Sequence, residues 1–431
     1  MGVRAMKGSG QDNFFSRSPE SFFSRKHRWA SGRLRKGLKL WTVFLLSSLL
    51  FCFAWTNNVA QAGPASSSPR AKWTFMVYLD ADNNLDPYGV ADFNEMEMVG
   101  STDQVNIVVL MDRFDGPALL YYVVKDNDPN QITSPVLANW GEVNMGDPAT
   151  LARFVDYVKS HFPAEHYFLD LWDHGGGWYG LVWDEHDGLE DGYTDRLLLD
   201  EVAAALPDGG LDILGFDLCL AGNVETAYEV RWEAKYLLLS EEMEAGAGWP
   251  YDTMLADLVA KPSLDPVALA VAMTDRYFEY YESSTFMNTM AVVESAKIPD
   301  LVQAMDRLAL SMLAAGEKGA VSGARGAATN LWLMMGGPIY YPLIDVYSFA
   351  DELIQRSHDP ATLLAAEETK AAVQAAVIYN VFGKYYDPAG GLTVYWPNTD
   401  RAFNEKYLLY RLDFVQDTHW DEFLLEYFRG F

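Results

Sequence analysis

Short apolar runs separated by amphipathic segments set the pattern of this chain. Lys72–Leu79 (KWTFMVYL), Val105–Met111 (VNIVVLM), His166–Trp172 (HYFLDLW), Leu211–Phe216 (LDILGF) and Lys235–Leu239 (KYLLL) are nearly continuous in apolar residues, and most end in acidic or turn residues. Strands buried on both faces of a largely parallel sheet read this way. Between them DPATLARFVDYVKSHF (Asp147–Phe162), DRLLLDEVAAAL (Asp195–Leu206) and VETAYEVRWEA (Val224–Ala234) are amphipathic, the last directly after Asn223, a capping residue type. Alternating strand and helix predicts an α/β fold with helices on both faces of the central sheet. A long, mainly helical stretch, Pro299–Phe382, and a strand-like GLTVYWP (Gly391–Pro397) follow, so additional C-terminal helices are expected. No repeat or low-complexity tract follows Arg70, which makes 72–431 one domain.

The N-terminal part has a different character. Residues 1–62 hold ten Lys and Arg against Asp12 and Glu20, and lead into the uncharged run Leu40–Trp55 and the small-residue site Ala60-Gln61-Ala62. A basic region, an apolar core and an A-x-A site predict a signal peptide over 1–62, cleaved before Gly63, with 63–71 as a short linker. The expected location is outside the cytoplasm: secreted, periplasmic or on the cell surface. The basic region is long and the apolar run approaches a membrane span, so an uncleaved anchor is the alternative and would bring membrane association. Without its basic head the chain is more acidic than the −28 of the whole. Such a surface repels nucleic acid and anionic membranes and favours cationic partners.

Removing 1–62 removes Cys52 and leaves Cys219 as the one cysteine. An unpaired thiol outside the cytoplasm is either small buried filler or a group kept for its chemistry. Cys219 ends the strand-like run 211–216, and His174 ends the run 166–172 in LDLWDHGGGWYG (Leu169–Gly180). Ligands gather at the carboxyl ends of strands in open α/β sheets, so the two side chains are expected on one sheet edge. A cysteine nucleophile needs a neighbouring base. Glycines after the histidine let backbone N–H groups approach a developing oxyanion, and the N–H groups of Gly175 and Cys219 are the candidates.

DHGGGW (Asp173–Trp178) followed by DLCLAGNVETAYE (Asp217–Glu229) closely resembles the clostripain family of cysteine peptidases, within the caspase-like clan. WTFMVYLDADNNLD, SEEMEAGAGWPYD (Ser240–Asp252) and GLTVYWPN fit the same resemblance, which covers nearly all of the chain after residue 72. It implies a caspase-like α/β sandwich, endopeptidase activity on proteins or peptides, Cys219 as nucleophile and His174 as general base and acid. Asp173 adjoins the histidine, but strand alternation turns it to the opposite face, which predicts a structural role. Asp217 lies two residues before Cys219 and on its side, so its carboxylate would take a cationic P1 side chain; the family's preference for Arg or Lys at P1 is attributed to this acid. The other reading of Asp217 is a turn cap, and the alternative acids for the P1 pocket are then Glu241, Glu242 and Glu244 in the motif after the next strand.

Arg196 is the one basic residue between Gly175 and Leu218. At the end of an acidic loop it is a candidate self-cleavage site, and relatives process themselves between His and Cys. Trp183–Asp195 and Leu79–Asn84 offer oxygen ligands for calcium without matching an EF-hand. The thiol chemistry itself calls for no cofactor. The scattered histidines predict no structural zinc. Two other classes stay open: an inactive relative used as a binding module, and a metal-dependent hydrolase built on the acidic loops.

Overall fold

A computed structural model describes residues 70–186, 194–284, 288–331 and 342–430. The expected export segment and the tip of the acidic loop, 187–193, lie outside the described residues.

The strands are β1 (Ala71–Ala81), β2 (Val105–Arg113), β3 (Ala118–Tyr122), β4 (Val136–Gly141), β5 (Ala164–Trp172), β6 (Leu181–Asp184), β7 (Asp195–Leu197), β8 (Leu211–Asp217), β9 (Ala234–Leu239), β10 (Thr289–Glu294), β11 (Asn330–Leu331), β12 (Leu343–Asp345), β13 (Val377–Phe382) and β14 (Thr393–Tyr395). The helices are α1 (Asp86–Val99), α2 (Pro148–His161), α3 (Leu199–Ala205), α4 (Val224–Glu229), α5 (Tyr251–Ala260), α6 (Pro266–Tyr281), α7 (Ile298–Ala315), α8 (Lys318–Ala327), α9 (Val346–Ile354), α10 (Pro360–Ala376), α11 (Lys406–Leu409), α12 (Asp413–Asp417) and α13 (Trp420–Arg429).

Among the described residues nine strands form one sheet in the order β13-β10-β9-β8-β5-β1-β2-β3-β4. The five apolar runs are β1, β2, β5, β8 and β9, adjacent and parallel at its centre. The flanking strands β3, β4, β10 and β13 are antiparallel additions. This is the predicted sandwich.

The periodicity of two divides each central strand between two cores. Trp73, Phe75, Val77 and Leu79 of β1 pack with α1, α5 and α6, while Met76 and Tyr78 pack with α2, α3, α4 and the later helices. Helix starts follow capping chemistry: Asp147 Oδ1 accepts the Ala149 N–H at 2.8 Å before Pro148, and Asn223 Oδ1 accepts the Thr226 N–H at 2.7 Å.

Three expected boundaries change. The helix expected from Asp195 begins at Leu199, because Asp195–Leu197 pairs antiparallel with β6. The stretch Pro299–Phe382 holds α7 to α10 but also β11, β12 and β13, and Gly391–Pro397 supplies β14 to a separate three-stranded sheet with β11 and β12. That small sheet reaches the cysteine loop, since the Thr393 N–H and hydroxyl both donate to Gly222 O, at 2.9 and 3.0 Å.

Candidate active site

The last paired positions of β5 and β8 are Trp172 and Asp217. His174 and Cys219 each lie two residues further on, so parallel register brings the two loops together at the carboxyl edge of the sheet. The approach is tight: a Cβ on Gly175 would sit 2.9 Å from Cys219 N and 3.0 Å from Cys219 C, and closer still to its carbonyl oxygen. Only glycine lets these two backbones touch. No backbone carbonyl among the described residues accepts from the Gly175 or Cys219 N–H.

Each loop is held in a strained form. Leu220, directly after Cys219, has φ +61°, and Val182, whose N–H donates to His174 O at 3.1 Å, has φ +56°. Such conformations cost about 1–3 kcal/mol each and persist where surroundings over-determine them. The surroundings here are visible. The Leu220 N–H donates to Glu242 O at 3.0 Å, Leu220 O accepts from Asn223 Nδ2 at 2.8 Å, and the triglycine ends in buried Trp178, packed on Tyr395 and Tyr407 with ring centroids 4.8 and 4.9 Å away.

His174 Nε2 lies 2.9 Å from Asn84 Oδ1. An amide oxygen accepts, so the contact selects the Nε2–H tautomer and leaves the lone pair of a base on Nδ1. Removal from water pushes the imidazole down to about 4. Cys219 Sγ accepts the Glu244 N–H at 3.4 Å and faces Glu244 O at 3.8 Å. Burial pushes the thiol up to about 11, against the pull of that N–H. Both groups therefore rest uncharged at neutral pH.

Beneath the thiol is a pool of acids. Asp217 Oδ2 accepts from Trp249 N at 3.0 Å and Tyr251 Oη at 2.9 Å, and burial pushes its carboxyl up to about 6 against those bonds. Tyr251 Oη also donates to Asp170 Oδ2 at 2.6 Å, and Trp172 Nε1 to Asp92 Oδ2 at 2.7 Å. Asp173 turns away, as alternation predicts: it accepts from Asn83 Nδ2 at 2.7 Å and from the Trp183 N–H.

The sequence pattern that defines the clostripain family matches residues 77–428. The chain belongs to the clostripain family. It is thus a cysteine peptidase, a hydrolase of peptide bonds in proteins or peptides. It is 25% identical to clostripain of Hathewaya histolytica over 423 residues, covering 81% of this chain and 80% of that protein. Its fold is similar to a secreted C11 cysteine protease from Bacteroides thetaiotaomicron in complex with an irreversible peptide inhibitor (TM-score 0.63, 20% identity, 81% of this chain and 99% of that one). An inactive zymogen C11 protease from Parabacteroides distasonis is also similar (TM-score 0.60, 21% identity, 82% and 98%).

Other expected residues of this clostripain-family chain fall elsewhere. Arg196 lies in β7, with Nε donating to Tyr179 O at 3.0 Å, a terminal nitrogen to Tyr410 Oη at 2.6 Å, and the guanidinium 4.3 Å over the Tyr179 ring. It ties the triglycine loop to the segment after α11. At the edge formed by β1, β2 and β6, Asp80, Asp82 and Asp112 each bury one oxygen without a hydrogen-bond partner among the described residues. Burial, with neighbouring acids, pushes Asp112 up to about 9; burial also raises Asp82, to about 6, against its bond to His186. No three His, Cys, Asp or Glu side chains among the described residues are arranged to hold a metal ion. No helix among them is long and apolar enough to cross a membrane.

Asn84 escaped the sequence reading, and Glu244 stood there only as one of three alternative acids for the P1 cation. Asn84 stands in LDADNN past the end of β1, which pairs with β5, but its oxygen was weighed as a calcium ligand. Glu244 follows β9, the strand beside β8, yet nothing local distinguishes it from Glu241 and Glu242.

Proposed function

We propose that this clostripain-family chain is an exported endopeptidase that cleaves after basic residues with a Cys219/His174 dyad. The observation that carries the reading is the contact of the His174 and Cys219 loops, at equal register beyond two parallel strands, over buried acids with no paired cation among the described residues.

In this mechanism His174 Nδ1 takes the thiol proton as Sγ attacks the scissile carbonyl, so thiolate forms in the encounter with substrate and not before. The oxyanion is met by the N–H groups of Gly175 and Cys219. The imidazolium gives its proton to the leaving amine, whose departure leaves a thioester on Cys219. Water, deprotonated by His174, then attacks the thioester and releases the acid and the thiol. Asn84 keeps the ring in the tautomer this sequence needs. Asp217 supplies negative charge for the P1 side chain. Residues 1–62 serve export, 72–431 form the peptidase domain, and Arg196 is the bond at which the enzyme nicks itself.

Turnover of fluorogenic peptides that differ only at P1, on wild type and on Cys219→Ala, tests this reading. Arg and Lys peptides turn over, neutral ones do not, and Cys219→Ala is inactive. Equal rates across P1 residues, or activity in Cys219→Ala, contradict it.

A further inference from the structure

Asp217 is the expected anchor for a P1 cation, yet its carboxylate is already engaged by the Trp249 N–H, the Tyr251 hydroxyl and the facing Glu244 carboxyl. Glu244 is placed differently. It is 7% exposed, its Oε2 accepts from Trp249 Nε1 at 3.0 Å, and its Oε1 has no hydrogen-bond partner among the described residues apart from the facing Asp217 carboxyl.

The surroundings leave this oxygen short of positive charge. Asp217 faces it from β8, Asp170 from β5, and Tyr277 and Tyr281 of α6 stand near, with Cys219 Sγ on its own backbone N–H. Asp92 closes the cluster: a Cβ on Gly248, which has φ +56°, would lie 2.6 Å from Asp92 Oδ2 and 2.9 Å from Asp217 Oδ2. No Lys or Arg among the described residues pairs with Asp92, Asp170, Asp217 or Glu244. Carboxyls buried this close cannot all ionise; they hold protons until a cation arrives.

We propose that Glu244 is a specificity-determining residue: its carboxyl receives the P1 cation, with Asp217 as the second acid behind it. This rests on the basic-P1 reading above. Binding a guanidinium or ammonium there displaces the proton shared by Glu244 and Asp217, which leaves two carboxylates around one cation. Because the same residue holds Sγ through its backbone, an occupied pocket also fixes the thiol for attack.

The test compares kcat/KM for peptides carrying Arg or citrulline, its neutral isostere, at P1. Wild type prefers Arg. Glu244→Gln loses that preference at least about tenfold, and Glu244→Asp restores part of it. An unchanged Arg-to-citrulline ratio in folded Glu244→Gln overturns the proposal. A wild type without Arg preference overturns the basic-P1 reading first, so the two failures are distinguishable. Should Glu244→Gln not fold, calorimetry of agmatine binding to Cys219→Ala at neutral pH, in buffers of different ionisation enthalpy, decides instead. Proton release supports the proposal, and binding without it overturns the proposal, because ionised Asp217 alone would take the cation without losing a proton.

Discussion

Replacing Gly175 by Ala should separate the two catalytic loops with one methyl group. The added Cβ would lie 2.9 Å from Cys219 N and 3.0 Å from Cys219 C, and nearer still to the carbonyl oxygen. Carbon contacts are comfortable at about 3.5–4.0 Å, so one loop must retreat by roughly 1 Å. Backbone atoms, not the flexible end of a side chain, are what the methyl meets. Gly175 is outside the left-handed region, so torsion adds nothing and the effect is contact alone. Overpacking of this kind costs about 1–3 kcal/mol of stability, and a misplacement of about 1 Å at a reacting pair costs on the order of 10²-fold in rate. The assay is kcat on an Arg peptide, beside thermal unfolding. Gly176→Ala is the control, since its Cβ meets first the edge of the Trp183 ring, at 2.8 Å, which can rotate away. Gly175→Ala with kcat within about threefold of wild type would refute the claim that this contact sets the dyad geometry.

Asn84→Ala should lower kcat with little change in KM, and Asn84→Asp should move the acidic limb of the pH profile upward, because a carboxylate beside His174 favours the imidazolium; wild-type profiles in both would remove Asn84 from the mechanism. Purified wild type should split slowly at Arg196 into two fragments that stay associated, whereas Cys219→Ala and Arg196→Ala stay whole; an intact wild type that is nonetheless active contradicts self-cleavage. Stability should fall as pH rises through about 4.5 to 7, because burial lifts Glu225 to about 7 from 4.5. A raised folded-state pKa means that the folded chain holds a proton the unfolded chain releases, so stability present below the unfolded value is lost up to the folded one. For Glu225 the loss is about 3 kcal/mol, and Glu229 and Glu233, also lifted to about 7 by burial, act in the same direction. A higher melting temperature at alkaline than at mildly acidic pH would contradict this.

The centre of the sheet was legible because β1, β2, β5, β8 and β9 are buried on both faces and so carry uninterrupted apolar runs. The edges were not. β3 and β4 are short, β4 exposes much of its surface, and β13 follows α10 with no turn residue between Ala376 and Val377. His174 and Cys219 could be found because each ends a run that parallel pairing brings to one edge. The partners of Asp217 could not, since Trp249, Tyr251 and Glu244 reach it from the segment after β9 through tertiary packing. Arg196 was expected on an exposed loop; its clamp by Tyr179 and Tyr410 depends on a chain segment more than two hundred residues away.

Labelling with a peptidyl chloromethyl ketone carrying Arg at P1, followed by mass mapping of the adduct, tests the central claim most directly. The account predicts one adduct per chain, on Cys219, absent in His174→Ala and much slower with Ala at P1. An adduct on another residue, or equal labelling by the Arg and Ala reagents, would contradict it.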